Sequence, residues 1–164
     1  IMAASSIPDL LNFEYHIELA AVTFLNTATG LDVYRTVIET DIITPRLEID
    51  CLVTEFLDPP ILHGGGANPN TVDYSAMKAL FTIRIVTDNA VGGSDQTDDH
   101  ALYRSQVRQA MMISSTNWDT TSLPYYNLLY CRPANALKET DGDWNITAID
   151  YDINFEIRDD AWPA

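Results

Sequence analysis

The segment from Asn145 to Trp162, NITAIDYDINFEIRDDAW, constrains the fold of this chain more than any other. Ile149, Tyr151, Ile153, Phe155 and Ile157 alternate without interruption against Asp150, Asp152, Asn154, Glu156 and Arg158. A period of two is the pattern of a half-buried β-strand, one face apolar and the other wet. Its apolar face requires partners from earlier in the sequence, so this strand completes a sheet that the preceding residues have begun.

Ser6, Ile7, Pro8 and Asp9 form a helix start, with Pro in the first turn and an acid placed to meet orphan N–H groups. Leu10, Phe13, Ile17, Ala20, Ala21, Phe24 and Ala28 then recur three or four apart up to Gly30, which predicts one amphipathic helix over Asp9 to Thr29. A short strand follows around Val33 and Tyr34. After Pro45, Leu47, Ile49, Cys51 and Val53 face one way, while Glu48, Asp50, Leu52 and Thr54 face the other. From Tyr74 to Thr87, Ala79, Phe81, Ile83 and Ile85 oppose Leu80, Thr82, Arg84 and Val86, and apolar residues on both sides point to a central strand. Asp98 and Asp99 start a second helix running to about Ser114, and Tyr125 to Ala134 returns to strand composition.

These elements predict a single α+β domain over residues 1–164: a mainly antiparallel sheet with two amphipathic helices on one face. A long inter-strand loop runs from Asp58 to Asp73, where Pro, Gly and Asn exclude a regular element. With 164 residues and 46% apolar side chains the chain can fill one core.

The formal net charge is −15, which argues against binding the outside of a nucleic acid, since that requires a basic footprint. Cys51 and Cys131 occupy apolar, strand-like contexts and are expected to be free buried thiols; a disulfide between them needs neighbouring strands and an oxidising compartment. The opening residues IMAASSIPDLL carry neither a charged n-region nor a long apolar core, and no apolar run reaches membrane-spanning length, so a soluble protein without membrane contact is expected.

Three motifs invite a chemical reading. HGGG at His63 to Gly66 resembles an oxyanion-hole loop, but no G-x-S-x-G elbow accompanies it. Asp98, Asp99 and His100 are adjacent at a helix start and point in different directions, which suits dipole complementation better than metal binding. Asp141, Gly142 and Asp143 are a fragment of a calcium loop without its remaining ligands, and read as a turn. No catalytic residue, metal or cofactor is assigned, and a non-enzymatic role is expected. The competing reading is a small metal-dependent enzyme or binding module using His63 and nearby acids. The acids Glu48, Asp50, Asp150, Asp152 and Glu156 form a set if their strands are neighbours. That face is either an ordinary solvated one or, repeated around an assembly, the wall of a channel that repels the phosphates of passing DNA.

Taken together, the first helix ending in TG, the short V-Y strand, the Pro-led strand TPRLEIDC, the long strand followed by a D-D-H helix start, and the closing YDINFEI strand with AWP resemble tail terminator proteins of long-tailed bacteriophages. The resemblance implies a small α+β subunit that forms a homohexameric ring on the tail tube, stops its polymerisation and offers a surface for head attachment. It also implies as partners further copies of the chain, the tail tube protein and a head-tail connector or portal-side neck protein. DNA would pass through without specific binding, and the site of action would be the virion neck, assembled in the host cytoplasm. Another neck or tail tube subunit is the alternative within the same class. Heterologous ring contacts use loops and sheet edges, so Asp58, Leu62, His63, Asn68 and Asn70, Val91 in the following loop, and Trp162 are the expected interface residues.

Overall fold

The computed structural model describes residues 6–36, 43–56, 76–89, 96–112, 123–158 and Ala161. The final alternating segment is strand β5, Trp144–Ile157, whose inward residues Ile149, Tyr151, Ile153, Phe155 and Ile157 are buried. The other elements are α1 (Ile7–Leu11), α2 (Phe13–Thr29), β1 (Asp32–Tyr34), β2 (Arg46–Phe56), β3 (Ala76–Asp88), α3 (Thr97–Ala110) and β4 (Tyr126–Asp141).

The five strands lie in the order β1-β2-β3-β5-β4, with β1 parallel to β2 and every other pair antiparallel. β3 is central: Phe81 sits between Cys51 and Tyr151, and Ile83 between Ile49 and Ile149. These inward residues meet α2 and α3 on one face, giving the expected α+β architecture. Cys51 and Cys131 are buried and free, and the two strands between theirs place β2 and β4 about 14 Å apart at ordinary strand spacing.

The first helix departs from expectation in one respect. It breaks at Asn12, which adopts φ −88° and ψ 55°. Asn competes with its own backbone for hydrogen bonds and is a weak helix former. The Asp9 carbonyl near the break accepts the Nε2–H of His16 at 2.9 Å. At its other end α2 stops on Gly30 in the left-handed region, φ 74°, whose N–H donates to the Asn26 carbonyl. The last two strands form a hairpin through Gly142, φ 57°, and Asp143; the carbonyls of both turn residues accept hydrogen bonds from Asn89. Asp141 to Asp143 is therefore a turn.

Candidate functional site

Chemistry is the first use to consider for the buried histidine and carboxylates, and His100, Glu18 and Glu48 each have a structural employment. His100, 3% exposed, stands between the hydroxyls of Thr87 at 2.8 Å and Thr147 at 2.7 Å, and so ties α3 to β3 and β5. Burial, helped by the positive charges of Arg104 and Lys138, lowers its pKa to about 4. Asp98 and Asp99 beside it are exposed in the first turn of α3, so the D-D-H triplet does not converge. Among the described residues no group of three or more His, Cys, Asp or Glu could hold a metal ion.

The sheet face opposite the helices carries the acids singled out above, and register places them side by side. Asp50 lies next to Thr82, which pairs with Asp150; Asp152 is flanked by Leu80 and Arg132. Asp150 accepts the Thr82 hydroxyl at 2.7 Å, and Glu156 accepts Asn127 at 3.4 Å. Asp50 is exposed and Asp150, Asp152 and Glu156 are half-buried, so these four form a polar row across β2 and β5. Glu48 does not join them. It is 1% exposed and clamped between Arg46, at 2.9 Å, and Arg84 on the neighbouring strand. Arg46 in turn stacks on Trp144, 5.1 Å from the ring centre. A carboxylate so deeply placed, and paired with two guanidiniums, is not presented to a channel. The expectation of an outward Glu48 is corrected on that ground.

The two sheet edges differ. β1 pairs with β2 only as far as Glu48, which leaves the N–H groups of Cys51 and Val53 pointing off the sheet. Carboxylates from α2 take both: Glu18 accepts Cys51 and Glu14 accepts Val53, at 3.1 and 3.0 Å. At these two positions β2 is closed to strand addition. The opposite edge, β4, is exposed from Arg132 to Asp141, and Pro133 sits there at a register shift, as an edge strand permits. An open groove of about 540 Å³ lies where α3 meets β4 and β5, lined by Arg108, Met111, Met112, Cys131, Pro133 and Tyr151 among others.

The expected interface residues Asp58, Leu62, His63, Asn68, Asn70, Val91 and Trp162 lie outside the described residues, as does the HGGG loop. The surfaces the structure adds are the closed β2 edge, the open β4 edge and the groove beside it. None of these was read from the sequence; Pro133, which on sequence marks a turn, instead lies inside β4.

No family model matches the chain, and no curated protein matches it. Among solved structures, the chain superposes on one from the "virion of native gene transfer agent (GTA) particle" with a TM-score of 0.53, covering 93% of this chain and 99% of that one at 14% identity. A second solved chain gives a TM-score of 0.48 at 11% identity, over 96% of this chain and 98% of its own, and carries no argument. At such identity the likeness is one of fold.

Proposed function

We propose that the protein is a structural subunit of a phage-like virion, acting at the head-tail junction as a ring that caps the tail tube, halts its growth and presents a surface to the head. The observation that carries this reading is the superposition, over nearly the whole length of both chains, on a chain of a gene transfer agent virion. The sheet edges agree with it. Glu14 and Glu18 block continuation of one copy's sheet onto the β2 edge of the next, so copies meet through side-chain surfaces. Contacts of that kind close into a ring when the rotation per copy allows. In such a ring Asp50, Asp150, Asp152 and Glu156 suit the inner wall, where fixed negative charge keeps DNA from adhering.

The test is to add the purified chain to polymerising tail tube protein and measure tube lengths by electron microscopy. Shorter tubes, each bearing extra density at one end, are expected. Tubes of unchanged length with no bound chain contradict the reading, and incorporation along the tube wall favours a tube subunit instead.

A further inference from the structure

We infer that the groove between α3 and β4 receives a second copy of this chain, which docks through its opposite flank, the side where α2 lies over β1. This rests on the ring reading above and assigns the contact that builds it.

The groove has the makings of an interface. Its floor is apolar, with Met111, Cys131 and Pro133, and at its lip Met112 is 55% exposed. The Tyr151 hydroxyl is buried against this floor with no hydrogen-bond partner among the described residues, which favours a donor or acceptor brought to it. The rim is basic. Arg104 and Lys138 line the adjoining cleft together with the single acid Asp98, and Arg108 lines the groove itself; none of the three cations has an ion-pair partner among the described residues. A cationic rim of this kind favours an acidic partner, and a second copy carries 24 acidic against 9 basic side chains.

The α2–β1 flank supplies the complement. Leu19 and Tyr15, each 41% exposed, stand on the outer side of α2, where Arg35, paired with Glu18, lies 5.0 Å from the centre of the Tyr15 ring, and Asp32 on β1 is exposed in a shallow hollow with Val22 and Val33. Apolar side chains beside an acid match an apolar groove with a basic rim. The flank and the groove lie at opposite ends of the strand order, so the contact is head-to-tail rather than self-complementary. A heterologous contact of this geometry is what a closed ring requires.

Two surface variants test it. In one, Arg108→Glu is combined with Met112→Glu to spoil the groove; in the other, Leu19→Lys spoils the flank. Self-association is read by analytical ultracentrifugation, and folding by thermal melts at dilution. The wild type is expected to associate, each variant alone to weaken association at least tenfold without a change in melting temperature, and an equimolar mixture of the two to form 1:1 dimers that grow no further. Either variant assembling like the wild type, or a mixture that stays monomeric, overturns the inference. So does a melting temperature that falls in the groove variant alone, which means that the groove is filled from within its own chain. Rings that persist in both variants discard the groove and keep the ring reading. Association through these flanks that leaves tube growth untouched keeps the groove and discards the tail-capping role. A wild type that is monomeric at every concentration discards both.

Discussion

Glu18 on α2 spends its two carboxylate oxygens on different partners: one accepts the backbone N–H of Cys51 on β2 at 3.1 Å, and the other takes the guanidinium of Arg35 at 2.9 Å. A helix side chain here completes the hydrogen bonding of a sheet edge, which a third-strand partner would otherwise do. The side chain is only 10% exposed, so its loss strands a buried N–H and frees an arginine.

Glu18→Ala is therefore expected to lower unfolding free energy by about 2 kcal/mol, the usual cost of an unsatisfied buried donor with a lost charged hydrogen bond. Glu18→Gln retains an acceptor and costs less. Urea denaturation measures both, and the alanine variant should also aggregate faster because the β2 edge is reopened.

Glu48 is held by Arg46 and Arg84 on the side of the sheet away from the helices. Removing it as Glu48→Ala leaves two guanidiniums without their shared anion, one of them on a side chain only 1% exposed. A loss of about 3–5 kcal/mol is expected, as for other broken buried pairs, with little dependence on salt because the site is screened from solvent. Asp150→Ala, which removes one surface hydrogen bond to Thr82, should cost about 1 kcal/mol or less.

His100 makes stability depend on pH. Its pKa falls from 6.5 in the unfolded chain to about 4 in the folded one, so between these values the unfolded state binds more protons. The contribution is fully present above pH 6.5 and is lost as pH falls toward 4. At about 1.4 kcal/mol per unit it amounts to on the order of 3–4 kcal/mol. Stability curves of the wild type and His100→Ala should lie furthest apart near pH 8 and converge near pH 4. Parallel curves contradict this.

The thiols should be inert in the folded state. Burial raises both, Cys131 to about 12 and Cys51 further, with the Glu14, Glu18 and Asp50 charges adding to the effect at Cys51. At pH 8 roughly one Cys131 thiol in ten thousand is ionised, so alkylation in native buffer should be slower by orders of magnitude than in denaturant.

Periodicity made the sheet legible. The alternation of Ile149 to Ile157 and of Ala79 to Ile85 maps onto burial residue by residue, because an antiparallel sheet covered by helices on one face imposes that period; Val86 and Arg158, expected on the other face, are buried as well. Gly30 marked the end of α2 for a local steric reason. What escaped depends on long-range placement. Glu48 belongs by alternation to the wet side of β2, and only the strand register that sets Arg84 beside it and brings Trp144 over Arg46 explains its burial. His100 was read through its acidic neighbours. Yet Thr87 and Thr147 occupy inward positions next to Ile85, Ile149 and their like, and two inward hydroxyls imply a polar group from the helical layer. Helix α1 separates from α2 at one asparagine, which a hydrophobic repeat passes over. The groove beside β4 arises because α3 packs on α2 and β3 and leaves the edge strand bare, a relation between elements that no local pattern encodes.

Native mass spectrometry of the purified chain with tail tubes tests the ring most directly. The account predicts a closed assembly of the 18.3 kDa chain, about 110 kDa if six copies close the ring, bound at one end of each tube. An 18.3 kDa monomer that leaves the tube ends unoccupied at every concentration contradicts it.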